Sequence, residues 1–247
     1  MFNLPKLIGH RGVRNLSPEN TTDSVKLAKD LGLNWVEIDV KITKDLIPIL
    51  LHDDSLERTT NGKGLPVDYN YNELKSLDAG YFFNNQKTPI HIPTLEEILH
   101  LSQILNINLN IELKPNVGFE KKNVIAIINS IKNSKFDKKY YFSSFDLNSL
   151  IMIKENFLDS ECGLLINEFT NEKTLDEVIN ISKKYNFFCC GFNKEILNLE
   201  IIKKIKNNNL IITLFSEENF NTKEANELWS TGVSSLFIDD PSAFNSF

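Results

Sequence analysis

Four short stretches hold residue types that can move protons, bind a cation or hold an anion. GHRG places His10 and Arg11 one glycine after the apolar pair Leu7 and Ile8; WVEIDV carries Glu37 and Asp39; PILLHD contains His52; NLNIELK carries Glu112 and Lys114. Each reads as a β-strand, along which side chains alternate between two faces. Glu37 and Asp39 then share one face while Ile38 and Val40 occupy the other, and Asn108, Asn110, Glu112 and Lys114 lie opposite Leu109, Ile111 and Leu113. Carboxylates gathered in a partly dry cavity repel one another, so protons or a cation must neutralise them. Lys114 supplies one charge at most. A hard divalent ion with oxygen ligands, Mg2+ or Ca2+, suits the set Glu37, Asp39 and Glu112 better than zinc does.

Parallel strands joined by helices would position these groups. Candidate strands are LIGHR, WVEIDV, PILLHD, LNIEL, YYFSSF, CGLLI, FCCGF, LIITLF and SLFIDD, and helical spacing falls between most of them, as in TLEEILHLSQIL and TLDEVINISKKY. Nine strands are one too many for a (β/α)8 barrel. Only about six residues, KITKDL, separate the second from the third, whereas a parallel crossover takes a dozen or more. These two form a hairpin, and eight strands remain for an α/β fold of the (β/α)8 TIM-barrel type, with its active site expected at one mouth. A hairpin turn centred between Asp45 and Leu46 pairs Asp39 with His52, putting the histidine on the acidic face and Ile42, Ile49 and Leu51 on the other. The segment 55–92, rich in turn residues, is expected to be a loop or small subdomain inserted in one catalytic domain spanning 1–247.

Composition sets outer limits. Hydrophobic residues at 41% and charged residues at 24% describe a folded globular chain, and 247 residues suffice for one barrel. A net charge of -6 gives no reason to expect a nucleic acid as partner, since a polyphosphate favours a basic face. No apolar run approaches the roughly 18 residues of a membrane span, and MFNLPK does not read as a signal segment. Cys162, Cys189 and Cys190 lack metal-ligand spacing and read as reduced core residues, so the cytoplasm is the expected compartment.

HRG with PENT, then EIDV, TKD, HDDSLERTTNGKG, DAG followed by IPTLEEIL, IELK, SSFD and the closing GVSSLFIDDP resemble the glycerophosphodiester phosphodiesterase family, in order along nearly the whole chain. The resemblance implies a barrel with an insertion after its second strand that hydrolyses glycerophosphodiesters, such as glycerophosphocholine or glycerophosphoethanolamine, to sn-glycerol 3-phosphate and an alcohol with a divalent metal. It also implies that His10 and His52 are the catalytic acid and base, that Glu37, Asp39 and Glu112 hold the metal, that Arg11 and Lys114 contact phosphate, and that the Phe145 ring borders the substrate. One departure is that the family often has tryptophan and asparagine where this chain reads IITLFSEE, with Thr213 and Ser216. A lysophospholipase D-type barrel and an inactive glycerophosphodiester-binding protein are the competing readings. Against them stand the lack of a basic or amphipathic membrane helix and the presence of both histidines with all three acids.

Other polar residues receive plainer readings. His91 is expected to pack in a loop and His100 to lie on a helix surface. Asp53 and Asp54 read as loop carboxylates, Asp239 and Asp240 as the end of a strand, and TTNGKG as a turn. The insertion aromatics Tyr69, Tyr71, Tyr81, Phe82 and Phe83 are expected either to cap the mouth or to pack the insertion.

Overall fold

The computed structural model describes residues 3–83, 88–171 and 173–244. Along the chain run β1 (Leu7–Gly9), α1 (Thr22–Asp30), β2 (Trp35–Ile42), β3 (Pro48–Leu50), α2 (Tyr71–Leu74), α3 (Leu95–Leu105), β4 (Asn108–Leu113), α4 (Glu120–Ser134) and β5 (Tyr140–Ser144). There follow α5 (Leu147–Asn156), β6 (Cys162–Ile166), α6 (Leu175–Lys184), β7 (Cys189–Asn193), α7 (Leu199–Asn207), β8 (Ile211–Phe215), α8 (Thr222–Thr231) and β9 (Ser235–Ile238). One sheet takes the order β1, β9, β8, β7, β6, β5, β4, β2, β3, and β1 also pairs with β2. Eight parallel strands therefore close a barrel, and β3 hangs antiparallel on β2 outside the closed set. This is the TIM barrel expected from the strand count.

Local sequence starts the helices where the barrel needs them. Thr94 and Thr174 each cap a helix reciprocally with a glutamate three residues on, and Asp146 caps α5. The even-numbered aliphatics of β2, Val36, Ile38 and Val40, join the core between sheet and helices. The odd-numbered face points inward. Trp35 packs there with Ile8, Tyr141, Cys189 and Phe237, an apolar plug beneath Glu37 and Asp39. All three cysteines are buried and unpaired, as expected.

The hairpin departs from the sequence expectation. Val40 faces Leu50, Lys41 faces Ile49 and Ile42 faces Pro48, one residue out of the expected register. Asp39 lies across from Leu51, whose N–H donates to the Asp39 carbonyl at 3.1 Å, not from His52. The reason is the turn. Thr43 and Ile47 close an odd loop of three residues in which Leu46 takes a φ of 63°, and Asp45 accepts a hydrogen bond from the Thr43 hydroxyl. Ile49 and Leu51 consequently share the face of Lys41 and bury themselves in a second small core with Leu56, Leu74, Ala79 and Ile92. That core lies under the segment 55–92, of which residues 84–87 fall outside the described ones. Because β3 stops at Leu50, His52 lies beyond the strand and escapes the aliphatic surroundings that this register would impose on a strand residue.

Candidate active site

β1 ends at Gly9, and the chain turns at once. Arg11 and Gly12 both adopt positive φ, 51° and 84°, and a Cβ on Gly12 would overlap the Ser24 side chain. The turn folds the β1 to α1 loop over β2. The Arg11 N–H donates to Glu37 Oε2 at 2.8 Å and the Gly12 N–H to the Glu37 carbonyl at 3.2 Å. Asn20, at φ 57°, grips Asp39 twice: its amide donates to Oδ2 at 2.9 Å, and its Oδ1 accepts from the Asp39 N–H at 3.0 Å.

Register then assembles the acids. Asp39 and Glu112 are direct neighbours across β2 and β4, with Glu37 one inward position back. Each of Glu37, Asp39 and Glu112 offers an oxygen within 4.8 Å of the others, and all three side chains are buried. Burial and the charges of Asp39 and Glu112 hold the Glu37 carboxyl well above its usual range. Burial likewise lifts Glu112 to about 7, against the pull of Lys114. Burial opposes ionisation of Asp39 as well, yet Arg11, Lys114 and Asn20 overcome it and keep this carboxyl below the usual range. Glu37 Oε1 is buried without a hydrogen-bond partner. A buried carboxyl oxygen without a partner, beside two further carboxyl groups, is a donor set for a hard divalent cation.

Cations of the chain rim the cluster. Lys114 Nζ lies 2.9 Å from Glu112 Oε1, an ion pair rather than an aligned hydrogen bond, and 4.0 Å from Asp39 Oδ1. It also stands 5.1 Å over the Phe145 ring. Arg11 places Nε 3.3 Å from Asp39 and donates from Nη1 to Glu19 at 2.8 Å.

Both histidines use the same ring nitrogen for support. His10 Nδ1 lies 2.7 Å from Asp239 Oδ1, and His52 Nδ1 lies 2.7 Å from Asp53 Oδ1. The Arg58 guanidinium holds Asp53 at about 2, and despite burial His10 and Arg14 keep Asp239 below the usual carboxylate range. Each carboxylate is ionised and can only accept, so each imidazole carries its Nδ1 proton. Burial lowers both histidines below their ordinary range against the opposing pull of Asp239 and Asp53, which favours the neutral ring with Nε2 as acceptor. His10 Nε2 is 3.9 Å from Glu37 Oε2.

A cavity of about 300 Å3 opens at the mouth of the barrel, lined by His10, Arg11, Glu37, His52, Glu112 and Lys114, with Phe145, Asn167, Asn193, Phe215 and Ser216 on the far side. Seven of the eight residues expected at the site line it. The eighth, Asp39, lies in the acid cluster at the base. Thr213 is buried in β8 and does not line the cavity, whereas Ser216 does.

Other readings need correction. Asp239 does more than end a strand: it is 3% exposed and anchors His10 and Arg14, whose Nε is 2.7 Å away. Its role was open to inference, because closing a barrel sets the last strand beside the first and Gly9 faces Ile238. Asp53 is the partner of His52, while Asp54 pairs with buried Lys41 at 3.0 Å and stays outside the acid cluster. Glu19, Asn20 and Arg58 carry network roles that the sequence reading missed, although PENT and LERTT were in view. His91 pairs with Glu97, away from the cavity, and TTNGKG is a turn, with the Gly64 N–H donating to Glu57. Tyr69 and Tyr71 pack on the second core, and Tyr81 stacks edge-on against exposed Phe82; none of these rings lines the cavity.

Comparison with known proteins points the same way. The chain is 30% identical over 245 residues to a glycerophosphodiester phosphodiesterase of Bacillus altitudinis, covering 96% of each chain. It is 37% identical over 163 residues to one from Caldanaerobacter subterraneus, covering 64% of this chain and 65% of that protein. A solved phosphodiesterase of Oleispira antarctica, in complex with the product sn-glycerol-3-phosphate, superposes with a TM-score of 0.90 at 30% identity over 98% of both chains. The glycerophosphoryl diester phosphodiesterase family model matches residues 10–243, and the chain belongs to that family.

Proposed function

We propose that this glycerophosphodiester phosphodiesterase hydrolyses soluble diesters, such as glycerophosphocholine or glycerophosphoethanolamine, to sn-glycerol 3-phosphate and an alcohol by histidine acid and base catalysis beside one divalent ion, Mg2+ or Ca2+. The observation that carries the reading is the convergence of two imidazoles, each held by a carboxylate through Nδ1, on one cavity with three buried acids.

A phosphodiester is an anion with a poor alkoxide leaving group, so hydrolysis calls for charge neutralisation and two proton transfers. Arg11 and Lys114 stand where phosphoryl oxygens would find cations, and the Phe145 ring borders the substrate beside Lys114. The bare Nε2 of one histidine takes a proton from the attacking hydroxyl. The other histidine acts from its protonated form, which its Nδ1-bound carboxylate stabilises against burial, and donates its Nε2 proton to the departing alkoxide as the phosphorus to oxygen bond breaks. Glu37, Asp39 and Glu112 would hold the divalent ion, which supplies charge neutralisation for the acids and the phosphoryl group. We read the barrel and segment 55–92 as one catalytic domain, since Arg58 of that segment enters the network of His52. Among the described residues no helix is long and apolar enough to cross a membrane. Three buried, unpaired cysteines suit a reducing compartment such as the cytoplasm.

The test is release of sn-glycerol 3-phosphate from glycerophosphocholine and glycerophosphoethanolamine, with and without EDTA. Release that stops in EDTA and returns with Mg2+ or Ca2+ is the expected result. Full activity in EDTA refutes the metal role, and faster turnover of detergent-solubilised lysophospholipid moves the reading to a lysophospholipase D.

A further inference from the structure

Arg58 lies in the segment between β3 and α3, and its guanidinium spans two carboxylates from different loops. Nε and Nη2 donate to the two oxygens of Asp53 at 2.7 and 2.9 Å, while Nη1 and Nη2 donate to the two oxygens of Glu19 at 2.9 and 2.7 Å. Asp53 in turn holds His52 Nδ1 at 2.7 Å, and Glu19 holds Arg11 Nη1 at 2.8 Å. A continuous chain of charged contacts thus runs from His52 through Asp53, Arg58 and Glu19 to Arg11. Both of its ends line the cavity; Arg58 itself does not.

Stability is one effect of these contacts: the Arg58 side chain is 47% exposed, so solvent screens its pairs, but two bidentate grips in one network hold more than isolated surface pairs do. Direction is what a planar fork adds, because two parallel bonds fix the plane of a carboxylate where a single ammonium would let it turn. Asp53 has a short side chain at the loop edge, about a third exposed, and without the fork its oxygens are free to rotate toward water. His52 would then lose the acceptor that selects its tautomer.

We propose that Arg58 is a positioning residue for the hydrolysis. By gripping both oxygens of Asp53 it keeps the His52 proton on Nδ1 and turns Nε2 to the substrate, and by holding Glu19 it aims the Arg11 guanidinium at the phosphoryl group. The proposal rests on the reading of His52 and Arg11 given above.

The experiment compares wild type with R58M, R58K, D53N and the double variant R58M/D53N. Ring-nitrogen NMR of 15N-histidine-labelled protein, with His52 assigned by its loss in H52A, reads the tautomer; steady-state kinetics with glycerophosphoethanolamine reads kcat and KM. His52 is expected as the Nδ1–H tautomer in wild type and as a mixture in R58M and D53N. The kcat falls about 10–100-fold in each single variant, the range seen when the partner that orients a functional histidine is removed. R58M also raises KM, because Arg11 is loosened, and D53N leaves KM alone. The double variant has the kcat of R58M, since both changes break one chain. R58K restores little, for want of the fork. Thermal midpoints confirm folding, and if R58M fails to fold, R58K carries the tautomer test, an unchanged His52 spectrum and kcat there overturning the role of the fork. An unchanged His52 nitrogen spectrum in R58M, or kcat losses that multiply in the double variant, overturns the role of Arg58. Wild-type turnover by H52A overturns instead the reading of the site.

Discussion

Replacing Glu37 by glutamine should make the metal-free protein more stable and blunt its response to metal. Without an ion, Glu37 and Glu112 are both held above the ordinary carboxylate range, Glu112 at about 7 against 4.5. A carboxyl raised in the folded state costs nothing below pH 4.5, where folded and unfolded chains are both protonated. Between 4.5 and 7 the unfolded chain releases its proton first, so stability falls as pH rises, and above 7 the whole cost is present. At about 1.4 kcal/mol for each pH unit crossed, Glu112 alone costs the metal-free fold about 3 kcal/mol by pH 8, and Glu37 adds to it with the same sign. Asp39, held low, stays ionised across this window and contributes no slope. The amide introduced by E37Q would keep an acceptor for the Arg11 N–H, now at 2.8 Å, and would remove the charge that Asp39 and Glu112 resist. For a chain of this size each kcal/mol moves the melting midpoint by about 2–4 °C, so after EDTA treatment Glu112 should take about 6–12 °C from both proteins between pH 5 and pH 8, and wild type should lose more than E37Q by the Glu37 part; the lowered His10 and His52 act with the opposite sign in both proteins and cancel from that difference. Adding Mg2+ or Ca2+ to about 100 times its dissociation constant should return about 2.7 kcal/mol to wild type and little to E37Q. Thermal unfolding followed by circular dichroism reads both effects. If wild type and E37Q show the same pH slope and neither responds to divalent ions, the three acids do not repel one another as their spacing demands, and the reasoning fails.

Further outcomes follow from the same geometry. H10A and H52A should each lower kcat about 10²–10⁴-fold in the glycerol 3-phosphate release assay, the usual contribution of a positioned acid or base. D239N should lower kcat about 10–100-fold with little change in melting midpoint, since Asp239 orients His10 and Arg14 at the rim. Gly12→Ala should cost at least about 2 kcal/mol in urea unfolding, because φ of 84° and the Ser24 side chain both exclude a methyl group there.

Much of the fold was legible because its signals are local. Alternation along WVEIDV and NLNIELK needs no knowledge of the rest of the chain, and it places Glu37, Asp39 and Glu112 on inward faces in the structure. The shortness of KITKDL was enough to expel β3 from the barrel. The hairpin register was misjudged because it depends on how one loop closes: Leu46 at positive φ and the Thr43 to Asp45 contact make an odd loop where an even one was expected.

What the amino-acid order determined by itself was therefore the set of elements, their inward faces and the kinds of chemistry within reach. Tertiary structure alone decided the partners. His10 meets Asp239 across 229 residues only because the barrel closes β9 onto β1. Arg58 meets Glu19 only because the insertion folds back onto the loop between β1 and α1. Side-chain alternation repeats every two residues and can be read from any short window, whereas a hydrogen bond between distant loops depends on how every intervening strand tilts and turns.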